Sequence, residues 1–398
     1  MMEPIMITGA GIVSAIGGNR AETLTALLNR QTGIAPLHYL KTAHREFPVG
    51  EVKMSDEDMK QRLGITQEPT TRTSLMGMLA LQEALDSAAL TGRRDLNVML
   101  VSGTTVGGMD KSEQYYLDYL SNDDRNAYIR THDCGATTEL MAQRFGLFTM
   151  ATSISTACSS AANAIILGAN LIRSGRAEIV VVGGAECITK FHLNGFNSLM
   201  ILDHDQCRPF DANRAGLNLG EGAAYLVLES EESAWKRGAQ IFGVLSGCGN
   251  ACDAFHQTAS SEDGEGSYLA MTQAIADAEL SPSDIGYVNA HGTGTPNNDA
   301  SESAALRRVF GEQLPPVSST KSYTGHTTSA SGSIEAVFCL LALKNGFLPY
   351  QSEFQNPDEQ CITPVSGKKA PQADLRHVMC NAFGFGGNDS SIILSRYE

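Results

Sequence analysis

At 398 residues and a net charge of −15, the chain is longer than an ordinary single domain and lacks the basic face of a general nucleic-acid binder. Hydrophobic residues make up 42% of it and charged residues 18%, as in a folded globular protein with a large core. Nine cysteines, odd in number and irregularly spaced, give no disulfide framework; Cys248 and Cys252 lack the second ligand pair a zinc site needs.

The N-terminal Met-Met-Glu-Pro has no basic region followed by an apolar stretch, and no run reaches membrane-spanning length, so a cytoplasmic protein without membrane contact is expected. Strand-like runs follow at residues 5–8, 98–102, 179–182, 224–228, 242–245 and 285–289, then at Val378 and 391–394. Helical periodicity alternates with them at 21–28, 75–90, 160–173, 268–278 and 301–310. That alternation predicts βα units and mainly parallel sheets. Gly9-Ala-Gly11 is not a dinucleotide fingerprint: Ser14 replaces its third glycine and no acidic residue stands about 20 positions on. It reads as a tight turn after the first strand. The Glu229–Glu232 charge run reads as solvated surface.

A weak internal repeat suggests duplication. Ser155-Thr-Ala-Cys158 runs into an apolar helix closed by Arg173-Ser-Gly175, and Ser319-Thr-Lys321 runs through His326 into another closed by Lys344-Asn-Gly346. Each ends on a basic residue and a glycine C-cap signal. The seam between halves 1–238 and 239–398 falls near residues 235–240. Both helices begin rich in Ala, Gly and Ser, which suits close approach between layers.

Cys158 lies where a β-type run meets the first of these helices. A helix N-terminus there would lower the thiol pKa and direct free N–H groups at a thioester oxygen. His291 follows an apolar strand-like run in Tyr-Val-Asn-Ala-His291-Gly-Thr-Gly-Thr; His326 again sits between a short strand and a helix start. Asn381-Ala-Phe383-Gly-Phe385-Gly-Gly-Asn388 is a glycine-rich turn in a strand-like tail.

These four segments in this order, with Cys207-Arg-Pro-Phe-Asp211 and Gly220-Glu-Gly222, resemble the elongating β-ketoacyl-acyl-carrier-protein synthases of the thiolase superfamily across nearly the whole chain. The resemblance implies a layered αβαβα fold with two pseudo-twofold-related halves. It implies Cys158 as acyl-accepting nucleophile and His291 and His326 as donors to the malonyl thioester oxygen. Two histidines match the elongating class, since the initiating class has His and Asn. The resemblance also implies that Lys321 pairs with Asp299, that Glu335 faces inward to organise hydrogen bonds, and that Phe385 gates the acyl cavity between Gly384 and Gly386. Phe383 either shares that loop's work or simply packs. Thr293 and Thr295 would bind a pantetheine arm, and Val106 would limit acyl-pocket depth.

No cofactor is implied. The implied partners are an acyl carrier protein and a second subunit, either a copy of this chain or a chain-length-factor-like paralogue. Lys60, Arg62, Arg72 and Arg208 are candidates for carrier docking on an acidic body. Two departures stand out: Ala215 where an acidic residue often follows the arginine, and Asn388-Asp389 where Thr-Asn is common. A degradative thiolase would need a second reactive cysteine, for which Cys380 is the nearest candidate. A non-catalytic carrier-binding subunit would have lost Cys158.

Overall fold

The structure is a computed structural model describing residues 4–66, 68–351, 353–367 and 369–398. Ile5–Ser14 forms β1, buried throughout. Then come α1 (Arg20–Leu28), α2 (Asp56–Leu63), α3 (Arg72–Ser87), β2 (Val98–Gly103), α4 (Met109–Tyr115), α5 (Cys134–Phe145) and β3 (Phe148–Ile154). The first half closes with α6 (Ser160–Arg173), β4 (Ile179–Glu186), α7 (Lys190–Ser198) and β5 (Gly222–Ser230). After α8 (Glu231–Lys236) the second half runs β6 (Gly243–Cys252), α9 (Glu265–Asp277), β7 (Tyr287–Asn289), α10 (Pro296–Phe310) and β8 (Val317–Ser318). It ends with α11 (Lys321–Thr324), α12 (Ser331–Asn345), β9 (His377–Gly384) and β10 (Asn388–Ser395).

Ten strands hydrogen-bond in the order β3-β2-β4-β5-β1-β6-β10-β9-β7-β8. Read inward from either edge, each half has the same pattern. Two parallel pairings (β3–β2 and β2–β4; β8–β7 and β7–β9) precede two antiparallel ones (β4–β5 and β5–β1; β9–β10 and β10–β6). The halves meet through a short antiparallel ladder, Ile5–Ile7 against Gly243–Leu245. The sheet is therefore mixed and not mainly parallel. Parallel neighbours need a crossover, which the βα alternation reveals. β9 and β10 instead join through the three-residue loop Phe385–Gly387, and β1 pairs with β5 across most of the first half, so periodicity does not expose their direction.

α6 and α12 touch each other and strands of both halves, forming the central layer, while α3 covers β1, β4 and β5 and α9 covers β6 and β10. The result is α, β, α, β, α. Helix α12 is buried on nearly every face, as a helix enclosed on all sides must be. Small residues permit the approach: a Cβ on Gly332 would lie 2.8 Å from the Ala162 backbone nitrogen.

Two local expectations are corrected. Gly9 and Gly11 lie inside β1, not in a turn after it; a Cβ on either would meet α3 backbone, 2.5 Å from the Ala84 carbonyl oxygen and 2.0 Å from that of Ala80. Glu229 is fully buried, accepting hydrogen bonds from Thr8 Oγ1 and the Arg237 guanidinium. A buried carboxylate needs such partners, and the pairing with Arg237 eight residues on is made by the fold rather than by the charge run itself.

Candidate active site

The loop between β3 and α6 carries Cys158, and Ala157 immediately before it has φ of 52°. A non-glycine residue in the left-handed region is held there by its surroundings. Here the turn is fixed by Ser160, whose Oγ accepts from the Thr156 N–H at 2.9 Å and donates to the Ala157 carbonyl at 2.6 Å. Cys158 Sγ lies 3.1 Å from His326 Nε2. The backbone N–H groups of Phe385 and of Cys158 itself point at the sulfur.

His326 follows α11 and is pinned through its backbone, the N–H donating to the Asn218 carbonyl at 2.7 Å and the carbonyl accepting from Gly220. Its Nδ1 lies 3.0 Å from Ser331 Oγ. The His291 ring stands 5.2 Å from that of His326, nearly perpendicular at 85°, and Phe383 backs it at 5.7 Å. Glu302 holds the His291 loop by accepting from the backbone N–H groups of His291 (2.9 Å) and Gly292 (2.7 Å). Burial pushes the Glu302 carboxyl up to about 7 against those hydrogen bonds.

Burial is the main electrostatic fact of the site. It drives both imidazoles well below the usual histidine range, with the Lys321 ammonium next in effect on each. Both histidines are therefore neutral at pH 7. The same burial pushes the Cys158 thiol up to about 11, outweighing Lys321 and the two N–H groups that favour a thiolate. This corrects the expectation of a lowered pKa: the helix N-terminus is there, but desolvation wins. The resting pair is a neutral thiol beside a neutral imidazole.

Lys321 is also placed differently from expectation. Its Nζ binds Glu335 Oε1 at 2.7 Å, both side chains fully buried. Asp299 instead accepts from the N–H groups of Phe210 (2.7 Å) and Gly294 (3.1 Å) and lies 3.7 Å from Arg214 Nε. Asp299 is an anchor for the loop after His291, and Glu335 is the counter-ion of Lys321. Arg214 finds its other acidic partner in Asp358 at 2.5 Å.

Cys158, His291 and His326 open onto a cavity of about 270 Å³, also lined by Phe196, Leu217, Thr293, Thr295 and residues 383–387. Thr293 Oγ1 and Thr295 Oγ1 lie 2.9 Å apart on its wall. Val106 is not brought to this cavity; it is buried, its N–H directed to Glu186. Cys380 is likewise outside, buried with Sγ toward the Gly332 carbonyl, so the thiolase reading has no second thiol here. Phe385 is one-third exposed and stacks on Phe196, centroids 5.9 Å apart. Gly386 (φ 86°) and Gly387 (φ 78°) hold conformations other residues resist. A Cβ on Gly384 would come 2.9 Å from the Thr156 carbonyl oxygen. Asn388 ties the loop to α6, its Oδ1 accepting from Ser159 Oγ (2.8 Å) and Asn163 Nδ2 (2.6 Å).

Sequence reasoning missed Phe196, Glu302 and Ser331. Phe196 had no local motif, whereas Glu302 lies three residues along the α10 helix from Asp299 and Ser331 starts the helix after His326, positions a search for shared faces would have reached. Among the basic candidates, Arg72 is withdrawn from the surface by pairing with Glu221 (2.6 Å) and Asp56 (3.0 Å). Lys60 and Arg62 lie at least partly exposed on α2, and Arg208 is partly buried. Among the described residues no group of three or more His, Cys, Asp or Glu is placed to hold a metal ion, and no helix is long and apolar enough to cross a membrane.

The fold defines a thiolase-like protein built around a buried cysteine. Family models narrow that class: the β-ketoacyl synthase N-terminal domain matches residues 2–234 and the C-terminal domain residues 242–355. The 3-oxoacyl-[acyl-carrier-protein] synthase 2 of Vibrio harveyi is 32% identical, with 98% of each chain covered. Nodulation protein E of Rhizobium meliloti is also 32% identical, over 97% of each. Among solved structures, the ishigamide ketosynthase/chain length factor superposes with a TM-score of 0.92 at 32% identity, covering 100% of both chains. A ketosynthase in complex with its chain length factor from Xenorhabdus doucetiae gives 0.86 at 30% identity, covering 99% of this chain and 98% of that one. The chain belongs to the β-ketoacyl synthase family and is an acyltransferase of that family.

Proposed function

We propose that the protein lengthens acyl chains on acyl carrier protein by decarboxylative Claisen condensation, in fatty-acid or polyketide assembly. The observation that carries this reading is the Cys158 sulfur 3.1 Å from His326 Nε2, with His291 facing the same cavity. His326 takes the thiol proton as Cys158 attacks an acyl thioester, which removes the need for a standing thiolate. The N–H groups of Phe385 and Cys158 stabilise the tetrahedral oxyanion. The first carrier leaves, and a malonyl thioester enters past Thr293 and Thr295. His291 and His326 donate to its carbonyl oxygen as carbon dioxide departs; the carbanion attacks acyl-Cys158, the thioester carbon–sulfur bond breaks, and the expelled Cys158 thiolate takes up a proton from solvent to restore the thiol. No cofactor enters these steps.

The partner subunit in this reading is a second copy of the chain. β3 is an outer strand of the sheet with Thr149, Met150 and Ala151 exposed. Leu117 and Leu120 stand 86% and 99% exposed on the segment after α4, apolar surface that a partner would cover. The carrier would dock on Lys60 and Arg62.

Intact-protein mass spectrometry after incubation with a panel of acyl-carrier thioesters, followed by peptide mapping, tests the reading. An acyl adduct on Cys158, absent in Cys158→Ala, is expected, and the preferred donor identifies the acyl class. Turnover retained by Cys158→Ala would refute it.

A further inference from the structure

His326 faces two demands that oppose each other. While Cys158 is a thiol, its S–H needs a lone pair on Nε2, which puts the imidazole's single proton on Nδ1. Once Cys158 is a thioester it has no proton to give. An Nε2 that stabilises an enolate must then carry the proton itself, leaving the lone pair on Nδ1. Whatever meets Nδ1 has to accept in one state and donate in the other. Backbone groups and charged side chains do only one of these; a hydroxyl does both.

The group that meets Nδ1 is Ser331 Oγ at 3.0 Å, on a residue only 1% exposed. Ser331 Oγ lies in turn 3.2 Å from Thr327 Oγ1, a second hydroxyl, so the two-membered chain keeps its bonds when its direction reverses. His291 has no such arrangement: its Nδ1 is buried without a hydrogen-bond partner among the described residues. Resting on the condensing reading above, we propose that Ser331 is a positioning residue that lets His326 exchange tautomers between acylation and condensation.

The proton accounting closes. In acylation Sγ gives its proton to Nε2, the thiolate adds to the donor thioester, and the carbon–sulfur bond to the carrier arm breaks. The departing sulfur takes the proton back from Nε2, so the imidazole ends as it began. Water entering the cavity then adds one proton at Nε2, and the proton lost from Nδ1 passes to Ser331 Oγ and out through the Ser331–Thr327 hydroxyl pair, each hydroxyl handing on its own proton. Ser331 is left with its O–H toward Nδ1 instead of Thr327, and Nε2–H faces the incoming malonyl group.

The test is nitrogen NMR on the full-length protein labelled with 15N-histidine, His326 being assigned from its loss in His326→Asn. The expected result is an Nδ1–H tautomer at rest and Nε2–H after an acyl-carrier thioester has loaded Cys158 without malonyl present. Loading with no change of tautomer overturns this inference alone. Failure to load Cys158 overturns the functional reading and this inference with it. In Ser331→Ala the unpartnered buried N–H is disfavoured, so Nε2–H should dominate in both states. Cys158 loading should slow about tenfold or more. Decarboxylation of malonyl-carrier, followed in a Cys158→Ala background, should change less than about twofold. Ser331→Thr should restore loading. Equal loss of both half-reactions would assign Ser331 a merely structural role and overturn the proposal.

Discussion

The chemistry at Cys158 is set by which of two residue-scale effects is larger, and burial is. With the thiol held near 11, the neutral form dominates at pH 7, because a raised acid pKa favours the protonated state. Alkylation of Cys158 by a small haloacetamide should therefore keep rising with pH through about 9. A plateau already reached near pH 6–7 would reveal a standing thiolate–imidazolium pair instead. Lys321 supplies the opposing field. Its removal in Lys321→Ala relieves both imidazoles of a neighbouring positive charge, so their titration rises and the acid limb of the rate profile should move to higher pH. The same variant leaves Glu335 buried without its counter-ion, a loss of about 3–5 kcal/mol if the carboxylate stays charged. Glu335 is already pushed up to about 6 by burial, and losing Lys321 raises it further. A carboxyl with a raised folded pKa contributes stability at low pH that is lost as pH rises through that value. The melting temperature of Lys321→Ala should accordingly fall further below wild type at pH 8 than at pH 5.

At the scale of elements, the site depends on how closely α6 and α12 approach, since Cys158 lies two residues before one and His326 five before the other. Gly332→Ala places a Cβ 2.8 Å from Ala162 N and 2.9 Å from its Cβ. Overpacking of this kind costs about 1–3 kcal/mol, and here it separates sulfur from imidazole. Calorimetry should show a melting temperature lowered by several degrees, and loading of Cys158 should slow with it. Gly175→Ala is the control: that glycine caps α6 at φ 69° with nothing within 4 Å, so its strain should lower stability without slowing acylation. The sequence made these two helices legible, because each combines a small-residue start, an apolar run and a basic C-terminal turn. It also placed Cys158, His291, His326 and Phe385 on strand–helix or hairpin junctions, where the structure has them. Strand direction was hidden, since β1 and β5 pair across most of the first half. Ion-pair partners were hidden for a related reason: Lys321 meets Glu335 fourteen residues away, and the choice over Asp299 is decided by packing rather than by motif.

At the scale of the molecule, the two halves repeat one five-strand pattern about the β1–β6 junction, and this duplication places β3 and β8 at opposite ends of the sheet. The ends are not alike. Val317 and Ser318 of β8 are buried, so that edge is covered within the chain. β3 keeps Thr149, Met150 and Ala151 exposed, and a bare edge strand is a template for pairing with another chain. If a second copy pairs there about a twofold axis, one substitution appears twice and close together. Ala151→Lys then sets two ammonium groups near each other across the junction, where like charges oppose pairing. Sedimentation equilibrium should find wild-type protein as a dimer and Ala151→Lys shifted toward monomer, with the shift reduced at high salt as screening shortens the repulsion. Protein that is monomeric alone and pairs only with a co-expressed paralogue would give β3 a different occupant. The acyl specificity of the cavity would then belong to a heterodimer. A wild-type dimer indifferent to Ala151→Lys would instead move the interface off β3, to the exposed Leu117 and Leu120 segment.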